Sequence, residues 1–311
     1  MTTLPTTPPD GAQLVSLADI TAIELLILRR MTDVTMGEHR SRAHGTGFDF
    51  VGLRDWQAGD RFQSIDWAQS SLTNFAPIIV REFEQPSTAA VVAVADHSLS
   101  TRCGIDGVPI AAAVARAVAT IGLSASFFQD PFGLITFDTG FENLAAIRAR
   151  TGKSHIIHCV DAYQYQQGLL AVPRVGDVGT TLAGYLRRKS MLPVISDFLF
   201  DNPNDILKEL AFLNARHDVF IVLIDGAFAF ELPTVSAGWI ETVDVETGRA
   251  RTVSRRALRN MANRVRDWQA EVHTSARALD LDVVQIGLDQ TKADIALSEF
   301  VAERRLRKTY N

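Results

Sequence analysis

Thr88-Ala89-Ala90-Val91-Val92-Ala93-Val94-Ala95-Asp96-His97-Ser98-Leu99-Ser100 is the stretch that decides the fold. Its apolar run is continuous, small-residued and closed by a carboxylate. A strand covered on one face alternates apolar and polar residues; a strand buried on both faces does not, and such strands belong to parallel sheets. Reading outward, the pattern repeats. A helix over 107–126 is followed by a strand at 133–137, helices over 152–167 and 180–189, and a strand at 192–197 that again ends in Asp. A helix over 203–215 leads to a strand at 218–225, an edge strand at 239–244, a helix over 254–278, a strand at 282–286 and a helix over 291–308. Strands alternating with helices imply an α/β fold with a doubly wound, mostly parallel sheet. Ligands of such sheets gather at the carboxyl ends of strands near the switch in strand order, which points to Asp96 and Asp197.

The remainder is organised around that sheet. Residues 1–17 are Thr- and Pro-rich and read as disordered or loosely attached. Residues 18–88 read as an amphipathic helix opened by Asp19, then a small β-containing segment with strands near 49–53 and 77–83. Residues 89–311 form the large domain. The 311 residues are 47% hydrophobic and 22% charged, which suits a globular chain with a filled core. A net charge of −5 and an isoelectric point near 5.8 leave no basic footprint for nucleic acid. The run Arg304, Arg305, Arg307, Lys308 is taken as the only basic cluster and reads as a solvated last helical turn. Two cysteines, Cys103 and Cys159, indicate a reducing compartment, here the cytoplasm. The apolar stretch Val108–Phe128 carries Arg116 at its middle, so a buried helix is expected rather than a membrane span.

The chemistry is carried by Asp96-x-Ser98-x-Ser100. One-residue spacing lets a tight loop turn three oxygen side chains toward one point, and a hard cation wants oxygen ligands. The bland alternative is that Ser98 or Ser100 caps the following helix. Gly179-Thr180-Thr181, followed by Leu186, and Asp197 ending its strand complete a set that one sheet edge could collect. Together these residues resemble the metal-ion-dependent adhesion site of von Willebrand factor A domains, which are Rossmann-type α/β domains. The resemblance implies one divalent ion, Mg²⁺ or Mn²⁺, held by Asp96, Ser98, Ser100, Thr180 and Asp197, with Thr181 as the alternative threonine.

A second series lies upstream: Gly45-Thr46-Gly47-Phe48-Asp49-Phe50, Leu53-Arg54-Asp55-Trp56, Gly59-Asp60, Ile65-Asp66-Trp67 and Val80-Arg81-Glu82-Phe83-Glu84. With the Asp96 motif it is similar to the family called domain of unknown function 58, across roughly residues 37–225. Gln63 and Leu72 stand where that family usually has Arg. The role of the box Arg54, Gly59, Asp60, Asp66 and Trp67 is unassigned; a buried Asp66 paired with Arg54 or Arg81, and Trp67 as a packing anchor, is the expected structure. The resemblance further implies a partner, a MoxR-type AAA+ ATPase, with which such proteins act in chaperone-like assembly or activation of client proteins. Nucleic acid and membrane insertion are not expected.

Other signals fail. Gly45-x-Gly47 lacks the third glycine of a dinucleotide fingerprint, and neither a P-loop nor a Gly-x-Ser-x-Gly elbow occurs. His155, His158 and Asp161 share a helix face but read as surface polarity, and Cys159 between them as a small buried hydrophobe. Enzymatic activity is therefore not expected; the alternatives are a divalent-metal-dependent hydrolase or phosphatase at the same carboxylates, and a metal-free structural scaffold.

Overall fold

The computed structural model describes residues 13–38, 49–57, 60, 62, 65–84, 90–105, 108–230, 239–243, 249–287 and 289–307. Two compact units are present: residues 33–88, and residues 1–32 together with 89–310.

Helix α1 (Leu17–Glu38) begins at a reciprocal cap. Ser16 N and Oγ donate to Asp19 Oδ2 at 2.9 and 2.6 Å, and Asp19 N donates back to Ser16 Oγ at 3.1 Å. Asp19 thus lies inside the helix, and Ser16 is its cap. Of the segment expected to be loose, residues 1–12 lie outside the described residues. Leu14 and Val15 are tied down, their amides donating to Gln164 Oε1 at 2.6 and 2.8 Å.

In the smaller unit β1 (Asp49–Asp55) pairs antiparallel with β2 (Ile79–Glu84), and α2 (Trp67–Leu72) lies between them in sequence. The remaining strands are β3 (Ala90–Asp96), β4 (Gly104–Ile105), β5 (Val108–Pro109), β6 (Phe132–Phe137), β7 (Leu144–Arg150), β8 (Leu170–Val172), β9 (Ser190–Ser196), β10 (Asp218–Ile224), β11 (Trp239–Val243), β12 (Ala250–Ser254) and β13 (Asp282–Ile286). The remaining helices are α3 (Ile110–Phe127), α4 (Lys153–Tyr165), α5 (Val178–Tyr185), α6 (Pro203–Asn214), α7 (Arg255–Ala278) and α8 (Gln290–Arg307).

Seven strands form the main sheet in the order β13-β10-β9-β3-β6-β7-β8. The run from β13 to β6 is parallel, and β7 is antiparallel to both neighbours. The architecture is α/β and consistent with double winding. Strand β3 lies at its centre, with β6 on one side and β9 on the other, so the strand order reverses beside Asp96. The alternation along β3 shows why its run had to be apolar throughout. Val91, Ala93 and Ala95 pack into a core with α1, α3, α4 and α8, while Val92 and Val94 pack into a second core with α5, α6 and α7.

Pro193 sits in β9, a central strand, where a missing N–H normally forbids it. The pairing of β9 with β3 lapses there: Val91 faces Met191 and the register resumes at Val94 and Val194.

Three expectations are corrected. Trp239–Val243 is not an edge of the main sheet but pairs with β12 in a separate hairpin. Arg304 and Arg305 are not a solvated turn: Arg304 bonds Asp218 at 2.9 Å and Asp282 at 2.8 Å, and Arg305 bonds Asp130 at 2.8 Å. These arginines tie α8 to the strand ends, because acidic partners at β10, β13 and the turn before β6 lie under the last turns of the helix. Nor is that run the sole basic cluster, since seven arginines fall between Arg249 and Arg266.

Helix α3 is long and apolar enough to cross a membrane by length and composition, but most of it is buried within the fold. Its Arg116 is matched rather than misplaced. The guanidinium bonds Asp294 Oδ2 on α8 at 2.7 Å and Asp19 Oδ1 on α1 at 3.3 Å, and Thr120 Oγ1 donates to Asp294 Oδ1 at 2.8 Å.

Candidate metal centre

The end of β3 and the end of β9 place the carboxylates side by side. Ala95 faces Ile195 in the register, so Asp96 and Ser196 are neighbours. Asp96 and Asp197 are fully buried. Ser98 N donates to Asp96 Oδ1 at 2.8 Å, and Ser196 Oγ donates to Asp96 Oδ2 at 2.5 Å. The Ser98 and Ser100 hydroxyls lie 2.9 Å apart, and Ser100 Oγ donates to Asp197 Oδ1 at 3.4 Å. Leu199 N also donates to Asp197 Oδ1 at 3.0 Å. Asp96, Ser98, Ser100 and Asp197 are thus linked in one polar cluster.

Ser98 occupies the cap position of a short 3-10 helix, Leu99–Arg102, yet its hydroxyl makes no capping bond. It turns to Ser100 instead, which weighs against the capping alternative. Asp197 Oδ2 is buried and meets no hydrogen-bond donor among the described residues. A buried anionic oxygen left unpaired costs several kcal/mol unless a proton or a cation reaches it.

The electrostatics agree. Burial drives the Asp96 carboxyl above its ordinary range, against hydrogen bonds from Ser196 and Ser98 that hold it down. Burial, then the neighbouring Asp96, pushes Asp197 up to about 7. Two buried carboxylates side by side are stabilised by positive charge, whether a proton or a cation supplies it.

Thr180 and Thr181 are not joined to this cluster by a hydrogen bond among the described residues. Asp177 caps α5 by accepting from Thr180 N at 2.6 Å, so the Gly-Thr turn lies within the first helical turn and Thr180 is exposed. Thr181 is buried, and its hydroxyl bonds Val175 and Asp177 carbonyls at 3.1 and 2.8 Å. Leu186 is buried beneath the helix end.

Residues outside the motif complete the frame. Tyr163 OH donates to the Asp96 carbonyl at 2.7 Å and its ring meets His97 edge-on at 5.7 Å. Burial first, then the two aspartates, raises its hydroxyl far above the normal range, so it serves as a neutral donor. Gln269 on α7 is buried; its Nε2 donates to the carbonyls of Asp197 at 2.9 Å and Ile224 at 2.7 Å, and its Oε1 accepts from Gly226 N at 3.3 Å. Trp268 Nε1 donates to the Phe198 carbonyl at 2.8 Å. Sequence reasoning passed over Gln269. The signal was its place in the buried spacing Leu258, Ala262, Gln269, Val272, Ala276, where an amide must find partners.

Beside the cluster lies an open groove of about 380 Å³ that includes His97, Asp138, Glu142, Gln166 and Arg174 in its wall. Among the described residues no group of three or more His, Cys, Asp or Glu side chains converges as ion ligands. Any cation at Asp96 and Asp197 would therefore rely on hydroxyls or solvent for the rest of its shell.

The upstream box resolves into two local ion pairs. Arg54 grips Asp60 in a fork at 2.8 and 2.7 Å, and that guanidinium holds the Asp60 carboxyl down at about 2. Asp66 accepts from Ala68 N and Gln69 N, capping α2, and pairs with Arg81 Nε at 2.8 Å. Trp67, the first residue of α2, is 60% exposed and so is not the packing anchor expected of it; Ile65 is buried instead. Gly59 lies outside the described residues.

The sequence profile of the family described as Protein of unknown function DUF58 matches residues 52–272. The chain belongs to the DUF58 family. That match spans both the Arg54–Arg81 series and the Asp96–Asp197 cluster. The chain is also similar to proteins described only as uncharacterized, one from Mycobacterium bovis and others from Mycobacterium tuberculosis. Each is 26% identical over 302 residues, covering 93% of this chain and 89% of the relative. No solved structure matches the chain.

Proposed function

We propose that this chain is a von Willebrand factor A-type binding module. In this reading Asp96, Ser98, Ser100 and Asp197 hold one divalent ion, Mg²⁺ or Mn²⁺, and present it to a carboxylate of a partner protein. The observation that carries the reading is the buried, unpaired Asp197 Oδ2 beside a second buried carboxylate and two hydroxyls. The donors are all oxygens, which suits a hard cation. The fold type is supported by the central position of β3, the strand reversal beside Asp96 and the antiparallel β7. Thr180, or Thr181 in its place, is the remaining oxygen ligand of this reading, and neither is hydrogen-bonded to the other four among the described residues.

The partner in this reading is a MoxR-type AAA+ ATPase in the cytoplasm, with client proteins assembled or activated through the pair. The chain brings the metal site, and the partner brings ATP hydrolysis. The hydrolase alternative asks for several carboxylates or histidines converging on the ion; His97, Asp138 and Glu142 line the neighbouring groove, but among the described residues no group of three or more converges.

The reading predicts that immobilised protein retains the ATPase of its own cell in Mg²⁺ and releases it in EDTA. The Asp96→Ala protein, folded by circular dichroism, should retain at least tenfold less. Undiminished retention in EDTA would sink the metal-dependent mechanism.

A further inference from the structure

The net charge of −5 conceals a strongly basic surface. Between Arg249 and Arg266 the sequence carries seven arginines and no Lys, Asp or Glu. They fall at β12 and the first half of α7, two elements joined by Ser254, whose hydroxyl caps the helix by accepting from Ala257 N at 3.2 Å. All seven are exposed. Helix α7 buries Leu258, Ala262, Gln269, Val272 and Ala276, so the arginines take the outward positions.

Stability of the chain itself does not account for them. A helix N-terminus carries partial positive charge and favours acids in its first turn; here that turn has no acid and holds Arg255 and Arg256. Arg255 and Arg259 add a like-charge pair one turn apart, which is also unfavourable. Among the described residues Arg255, Arg256, Arg259 and Arg264 make no ion pair, unlike Arg304 and Arg305 on α8. At these four arginines no ion pair among the described residues offsets the local repulsion, and an anionic partner would.

Its size follows from the elements. Five strand residues at about 3.3 Å and twelve helical residues at about 1.5 Å each span roughly 17 Å. Outside this patch the chain is more acidic than its net charge suggests. A long polyanion or a charged bilayer extending past the patch would meet repulsion over a screening length of about 8 Å. A segment of about six to eight residues would not. Guanidinium forks match carboxylates bidentately. We propose that the arginine surface of β12 and α7 docks a short acidic segment, rich in Asp or Glu, of a partner protein. Among the described residues none of Arg255, Arg256, Arg259 and Arg264 hydrogen-bonds a residue of the Asp96 cluster, and docking here needs no metal.

The test uses the full chain in EDTA, which separates it from the metal reading, and a fluorescein-labelled octaglutamate peptide followed by anisotropy. Binding should weaken with added salt and fall at least tenfold in Arg256→Gln/Arg259→Gln/Arg264→Gln, with Arg259→Gln alone intermediate. A Lys189→Gln/Lys208→Gln/Lys292→Gln control, placed at lysines outside the patch, should bind as the native chain does. Equal binding by native and arginine-substituted proteins overturns the proposal. So does preference for a single-stranded oligonucleotide or for phosphatidylserine vesicles over the peptide, which would give the surface to nucleic acid or membrane.

Discussion

In EDTA at pH 8, Asp197→Asn should melt higher than the native chain. The folded chain holds the Asp197 proton up to about pH 7, while an unfolded aspartate releases it near 3.8. Between those values the folded state binds more protons, so stability falls as pH rises and levels off above about 7. One pKa unit is worth about 1.4 kcal/mol, so the ionised, metal-free carboxylate costs the fold on the order of 4 kcal/mol. Asparagine keeps an oxygen for Leu199 N and Ser100 without the charge. An increase of at least about 5 °C is expected at pH 8. The difference should shrink toward pH 5, where Asp197 is protonated in the native chain. Mg²⁺ should raise the melting point of the native protein and leave that of the variant unmoved. Differential scanning calorimetry across pH 5–8 reads all three, and a variant that melts lower at pH 8 would contradict the burial argument.

Arg116→Met should be the most damaging single change outside the cluster. Asp294 is 2% exposed and depends on Arg116 and Thr120 for its bonds. Removing the cation leaves a buried anion, a loss of about 3–5 kcal/mol. The double change Arg116→Met/Asp294→Leu removes both charges and should recover most of that loss. Urea unfolding followed by far-ultraviolet circular dichroism decides it. A single variant within about 0.5 kcal/mol of native would mean that the pair is solvated and does not hold α1, α3 and α8 together.

Most of the large unit can be read from its sequence because strands buried on both faces are continuous apolar runs. Ala90–Asp96, Ser190–Ser196 and Asp218–Ile224 announce themselves. Strand β7 does not, since its residues Leu-Ala-Ala-Ile-Arg-Ala-Arg mix alanines with arginines and fit a helix as well. Strand β8 has three residues, too few for any period. The second strand of the β11–β12 pair, Ala-Arg-Thr-Val-Ser, carries no apolar alternation to mark it as Trp239's partner, so the sequence alone points Trp239 to the main sheet's edge. At the site, Asp96, Ser98, Ser100 and Asp197 are legible because carboxylates end apolar strands. Ser196, Tyr163 and Gln269 are not, because their roles come from hydrogen bonds across 67 to 100 residues of chain. Thr180 was placed by resemblance alone, and Asp177 claims its turn as a helix cap.

Whether Asp96 and Asp197 share one divalent ion is decided by Mn²⁺ binding followed by paramagnetic resonance. The titration runs into the millimolar range at pH 7.5, on the native chain and on Asp96→Ala. One Mn²⁺ should bind per native chain, displaced by excess Mg²⁺, and none should bind Asp96→Ala. No bound Mn²⁺ in the native chain at millimolar concentration, or equal binding by the variant, would contradict a shared ion.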